Sequence, residues 1–240
     1  MIVSIYESST AANDVAATHL GRRLSQPATR NVMVAAGNTP LDLYQRVSTQ
    51  GLSLSHLKVF ALDEYVGVPL EEPRNCANLL RQYVAVGWGL TPDQFLTVSS
   101  LASDAERSVK QHEAAIEAAG GLDILVLGLG QNGHLGFNEP GSSVDCGARV
   151  LPLTPISIEA NRKWFHGRFA PDQGVTVGMK TILGAREIFL LAFGPHKTQA
   201  VYDMVRGPMS DQCPASFLQA HPRVKVFLDT TAAAGLRPGS

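Results

Sequence analysis

Charge is scarce in this chain of 240 residues. Lys and Arg number 20, Asp and Glu 21, and together they make up 17% of the sequence, for a formal net charge of -1. A nucleic-acid binder neutralises several phosphates with a basic stripe, and none is present, so a small substrate is expected instead. Long hydrophobic runs are also lacking: 124–129 and 188–193 fall far short of the roughly 18 residues that span a bilayer, so no membrane partner is expected. The opening Met1-Ile2-Val3-Ser4-Ile5-Tyr6 lacks a basic segment followed by an apolar stretch and a cleavage site, which makes the cytoplasm the default location. Cysteine is limited to Cys76, Cys146 and Cys213, which cannot all pair and show no CxxC spacing, so disulfide and zinc readings are poor. Neither HxxxH nor a Cys/His cluster occurs, and no catalytic metal is expected.

Apolar residues are plentiful at 45%, enough for a substantial core, and no Pro/Ser-rich or charged break divides the chain. A single domain over 1–240 is expected, without internal repeats and with a tail fraying from about 232 to 240. Runs rich in Val, Ile, Leu and Phe recur at 2–6, 32–35, 59–62, 124–129, 188–193 and 224–228. They do not alternate polar with apolar, the pattern of parallel strands covered on both faces. Helix-like stretches at 11–24, 41–47, 77–86, 103–119 and 197–205 lie between them. The alternation predicts an α/β fold: a doubly wound, mostly parallel sheet with helices on both faces.

The chemically unusual residues follow directly after these runs, where the ligand crevice of an open α/β sheet lies. Ala36-Gly37-Asn38-Thr39-Pro40 follows one, with Thr39 as an N-cap and Pro40 at the first helical position; the helix's free N–H groups suit a phosphate. Lys197, behind Gly194, adds a mobile ammonium at the same edge. Asp63 and Glu64 crowd a third strand end, where a carboxylate with a raised pKa can exchange protons near neutrality; Asp63, nearest the strand, is preferred as the base. Gly128, Gly130, Gly133 and Gly136 let backbone approach a ligand around His134, with Glu139 close enough to orient or charge-balance the imidazole. Arg162, Lys163 and Arg168 cluster with Trp164, Phe165 and Phe169, a pattern better suited to a substrate lid, about 157–178, or a solvated helix than to nucleic acid.

In order along the chain stand Gly37-Asn38-Thr39-Pro40, Asp63-Glu64-Tyr65-Val66-Gly67, Asn132-Gly133-His134, Phe137-Asn138-Glu139-Pro140, Val175-Thr176-Val177-Gly178-Met179 and the segment 213–222. With these the sequence resembles the glucosamine-6-phosphate deaminases (isomerases) over nearly its whole length. The resemblance implies a modified Rossmann-like fold and an isomerising deamination with no cofactor or metal: glucosamine 6-phosphate gives fructose 6-phosphate and ammonia, in amino-sugar catabolism. It implies ring opening by His134 with Glu139, proton shuttling by Asp63 supported by Glu64, and a phosphate site at Ala36, Gly37, Asn38, Thr39, Gly130, Lys197 and a basic lid residue. Asn132 stands where some members have Asp; an amide cannot accept a proton, so the relay rests on His134 and Glu139. Lys163 stands where several members have the phosphate-binding Arg, with Arg162 next to it, and a lysine lacks the bidentate fork. Leu151 stands where allosteric members have a further basic residue, and with the chain stopping at Ser240 no activation by an N-acetylated sugar phosphate is expected. The alternatives are a galactosamine-6-phosphate deaminase, which would yield tagatose 6-phosphate, and more distantly a 6-phosphogluconolactonase, against which Tyr65 and Glu139 count. A sugar-phosphate sensor is a third reading, disfavoured because base and relay are all present. The expected state is a monomer or small homo-oligomer.

Overall fold

A computed structural model describes residues 1–236. Strands β1 (Ile2–Tyr6), β2 (Asn31–Val34) and β3 (Lys58–Ala61) alternate with helices α1 (Ser9–Leu24) and α2 (Asn38–Ser48). β4 (Asp63–Tyr65) then leads to α3 (Cys76–Leu80), which continues as a π-helical turn to Val86. β5 (Phe95–Leu96), α4 (Ala105–Ala118), β6 (Ile124–Gly128), β7 (Arg149–Pro152) and α5 (Pro155–Trp164) follow. The chain closes with β8 (Gln173–Thr176), α6 (Met179–Leu183), β9 (Glu187–Ala192), α7 (Thr198–Arg206) and β10 (Val224–Asp229).

Seven strands form one sheet in the order β1-β10-β9-β6-β2-β3-β5, parallel throughout. From β2 the chain steps outward to β3 and β5, and from β6 it steps the other way to β9 and β10. β2 and β6 therefore meet at the switch point, where diverging connections leave a crevice at the strands' carboxyl ends. Alternate residues of each strand feed two apolar layers. Met33, Phe60, Leu125, Leu127, Ile188 and Leu190 pack on one face with Ile116, Ile182 and Val201 from helices α4, α6 and α7. Val32, Val34, Val59, Val126, Phe189 and Leu191 pack on the other with Leu20, Leu43 and Leu80 from α1, α2 and α3. Covering both faces is the physical reason these strands show no polar alternation.

A second sheet, β4-β8-β7, is antiparallel and was not foreseen. Only Leu62 separates β3 from β4, so the chain leaves the parallel sheet where Asp63 begins. β7 and β8 span four residues each, too short and too polar to stand out as apolar runs. This sheet also corrects the lid expected at 157–178: Val175 and Thr176 of β8 are fully buried, and only α5 with the turn after it overlies the crevice. The tail is corrected likewise, since Ala232 and Ala233 are fully buried in the core; residues 237–240 lie outside the described residues. Among the described residues, no helix is long and apolar enough to cross a membrane.

Candidate active site

A cavity of about 540 Å³ opens at the carboxyl ends of the parallel strands, between the loops after β2, β6 and β9, the start of β4, and α5. Its floor on one side is the loop before α2. Gly37 has φ 110°, a conformation that L side chains rarely adopt, and a Cβ there would meet nothing within 4 Å. Backbone geometry, not crowding, is what calls for glycine. α2 begins at Asn38 with Gly37 as its N-cap and no side chain bonded to its first N–H groups. Thr39 is thus inside the first turn rather than the cap expected of it, and the helix end stays open toward the cavity, which Ala36, Gly37, Asn38 and Thr39 all line.

Two cations from elsewhere reach this space. Lys197 closes the turn Pro195–Lys197 ahead of α7, and its Nζ donates to the Leu129 carbonyl at 2.6 Å. Burial pushes its pKa down to about 8. Of the two basic residues proposed on α5, Lys163 lines the cavity and Arg162 does not; both lie 3.5 Å from Glu159.

Asp63 and Glu64 are adjacent in a strand and so point to opposite sides. Asp63 lines the cavity, 8% exposed, and its pKa is raised to about 7, chiefly by burial and then by Glu64, with the Cys76 thiol hydrogen bond opposing. Glu64 is not a cavity residue. Its carboxylate accepts from the N–H groups of Tyr65 (2.7 Å), Cys76 (3.0 Å) and Ala77 (2.8 Å), fastening α3 to β4 and holding Cys76 beside Asp63. Burial raises the pKa of Glu64, and the three N–H donors work against that rise. The support expected of Glu64 is therefore structural, delivered through α3.

His134 lies in the cavity wall with its side chain one-fifth exposed. The ring rests on Gly130: a Cβ at that position would fall 2.3–2.5 Å from three imidazole atoms. Behind it, Glu139 is 4% exposed and outside the cavity, with Oε2 3.4 Å from His134 Nδ1. Burial favours protonation of Glu139, but His134, the Ser157 hydroxyl and the Asn132 amide outweigh it and hold the pKa at about 2. Asn132 lies outside the cavity lining and serves here as a donor, giving Nδ2 to Glu139 at 2.6 Å and accepting His134 N–H at 3.3 Å. An aspartate would place a second negative charge against Glu139; the amide stabilises its carboxylate instead.

Sequence reasoning missed the residues that complete this arrangement. Thr154 and Ser157, at the start of α5, both donate to Glu139, and Ser157 also lies 3.4 Å from His134 Nδ1. Tyr65 packs between Phe137 and Phe165 at centroid distances of 5.0 and 5.1 Å. Arg74, Cys76, Trp164, His166 and His196 also line the cavity. Tyr65 stands in the Asp63–Gly67 segment and Trp164 in the aromatic–basic cluster, Arg74, Cys76 and Thr154 sit in no such segment, and hydroxyls in a helical first turn read as ordinary caps. Among the described residues, no group of three or more His, Cys, Asp or Glu is placed to hold a metal.

An open helix N-terminus, lysines and a buried acid–base set at the switch point of a parallel sheet define an α/β enzyme site for a small anionic substrate. Comparison with known proteins agrees. Residues 6–227 match the family model described as glucosamine-6-phosphate isomerases/6-phosphogluconolactonase, and the chain belongs to that family. It is 37% identical over 241 residues to the glucosamine-6-phosphate deaminase of Cutibacterium acnes, covering 98% of this chain and 92% of the relative. It is 40% identical over 205 residues to that of Rhodopirellula baltica, covering 83% and 82%. The structure of a monomeric glucosamine-6-phosphate deaminase superposes with a TM-score of 0.93 at 29% identity, covering 98% of this chain and all of the other. A Trypanosoma brucei 6-phosphogluconolactonase, at 20% identity and TM-score 0.79 over 98% of each chain, shares the fold.

Proposed function

We propose that this chain is a glucosamine-6-phosphate deaminase, converting glucosamine 6-phosphate and water to fructose 6-phosphate and ammonia. The observation that carries the reading is the pairing, across one cavity, of a buried carboxyl with pKa about 7 and a histidine backed by an ionised glutamate. A proton must leave one carbon and reach its neighbour, and a group titrating at neutral pH serves as both acceptor and donor. Asp63 has that property. His134 opens the pyranose, with Glu139 stabilising positive charge on the imidazole as it accepts the proton. The open end of α2, Lys197 and Lys163 hold the phosphate, and that remote binding energy sets C1 and C2 against Asp63. Neither metal nor organic cofactor enters these steps.

Tyr65 argues against the lactonase alternative, because its ring is enclosed by Phe137 and Phe165 where lactonase-like chains carry an arginine. The galactosamine epimer differs by one hydroxyl. Ammonia release from glucosamine 6-phosphate and galactosamine 6-phosphate, alongside hydrolysis of the gluconolactone phosphate, tests all three. Ammonia from the glucosamine ester is expected, and its absence from both amino sugars overturns the reading. A cytoplasmic place in N-acetylglucosamine catabolism follows from this activity and belongs to the same proposal.

A further inference from the structure

We propose that Arg74 is a phosphate-binding residue of this site, supplying from the loop before α3 the guanidinium fork that position 163 does not carry. The inference rests on the deaminase reading, which provides a dianionic 6-phosphate as ligand.

Arg74 is half-buried and lines the cavity together with Lys163 and Lys197. Trp164 fixes it from two sides: Arg74 Nη1 donates to the Trp164 carbonyl at 2.6 Å, and Trp164 Nε1 donates to the Arg74 carbonyl at 3.0 Å. The guanidinium carbon lies 5.3 Å from the indole centroid. Because Trp164 follows Lys163 in α5, this clasp brings Arg74 to the end of the helix that presents Lys163. One of the five guanidinium N–H groups is engaged at Trp164, leaving the others for a ligand.

Neighbouring basic residues have counter-ions and Arg74 does not. Arg168 is 3.0 Å from Glu72, and Arg162 and Lys163 share Glu159, whereas among the described residues no carboxylate lies within 4.0 Å of Arg74. Among the described residues Lys197 likewise has no carboxylate within 4.0 Å, its Nζ donating to the Leu129 carbonyl. Asp63 is the sole carboxylate lining the cavity among the described residues, against the cations Arg74, Lys163 and Lys197. A chain of net charge -1 has thus placed two cations without carboxylate partners, Arg74 and Lys197, in one half-enclosed space beside Lys163, the arrangement that attracts an anion. Stacking on Trp164 holds the guanidinium in place before ligand arrives, so little side-chain entropy is lost on binding.

The test is calorimetric titration of the full chain with inorganic phosphate, alongside KM and kcat for glucosamine 6-phosphate, in wild type, Arg74→Gln and Arg74→Lys. Loss of a charge-assisted bidentate contact is expected to weaken phosphate binding and raise KM about tenfold or more in Arg74→Gln. Arg74→Lys keeps the charge over Trp164 and should recover part of the loss; it also serves if the glutamine variant fails to fold. Phosphate binding as tight as wild type in a folded variant lacking the guanidinium overturns the proposal. A wild type that binds phosphate yet releases no ammonia overturns the deaminase reading instead, and the titrations still decide on Arg74.

Discussion

The Ser157 hydroxyl donates to the Glu139 carboxylate from the same helix that presents Lys163 to the cavity. One end of α5 therefore supports Glu139 behind His134 while the other presents Lys163 to the cavity. Ser157→Ala removes a donor to Glu139 without touching the phosphate end, so kcat should fall about tenfold with KM little changed. Lys163→Ala should show the reverse split, a raised KM at similar kcat. Steady-state kinetics on the two variants checks this, and a KM effect from Ser157→Ala would contradict it.

Asp63→Asn should abolish turnover while leaving phosphate binding intact. It should also stabilise the fold at alkaline pH. A carboxyl whose folded pKa is raised from 3.8 to about 7 binds its proton more tightly in the native state, so stability is lost as pH rises across that window. The neutral amide removes this loss, a gain on the order of 2–4 kcal/mol at pH 8 that vanishes near pH 4. Thermal unfolding at the two pH values reads it directly.

Glu139 has the opposite sign. Its folded pKa of about 2 lies below the ordinary 4.5, so its stabilisation is full above that value and is lost as pH falls toward 2. Glu139→Gln should flatten that part of the acid-unfolding curve. It should also lower kcat/KM about a hundredfold, since the imidazolium loses its counter-charge. An unaltered acid limb would show that Glu139 is not held ionised by its neighbours.

Gly130→Ala tests the seat of the imidazole. The added Cβ would overlap the His134 ring, while Gly130 is not among the glycines with positive φ, so the backbone tolerates alanine. The variant should fold but lose activity about a hundredfold, because a misplacement of order 1 Å costs that much in a positioned group. Full activity would mean that the ring is free to move without consequence.

An N-acetylated sugar phosphate should leave the substrate curve unchanged. Arg149, two positions before Leu151, spends its guanidinium on this chain's own groups, giving Nη1 to Asn138 at 2.9 Å and Nη2 to Ser142 at 2.8 Å. Leu151 beside it offers no charge. Substrate saturation measured with and without the effector decides, a shift in either direction counting against this.

Six parallel strands, five of the helices and the loops after the strands were legible in the chain, because a strand buried on both faces leaves an uninterrupted apolar run; α5 and α6 were not. The antiparallel β4-β8-β7 sheet was not, since its short strands carry Asp63, Glu64, Arg149 and Gln173 among their few residues. Asp63 and His134 stood out as titratable groups beside glycine or a strand end. Ser157, Thr154, Arg74 and Cys76 did not, because each gains its meaning from a partner distant in sequence.

The sequence by itself determined the fold class, the family resemblance and the candidate acid–base groups, all consequences of local pattern. Only the tertiary structure decided where each group points and what it bonds. It turned Glu64 away from the cavity to fasten α3, placed Lys163 and not Arg162 in the cavity lining, made Asn132 a donor to Glu139, and brought Arg74 beside Lys163 through Trp164. Direction, burial and counter-charge depend on which elements meet, and in a doubly wound sheet the loops that meet come from far apart along the chain.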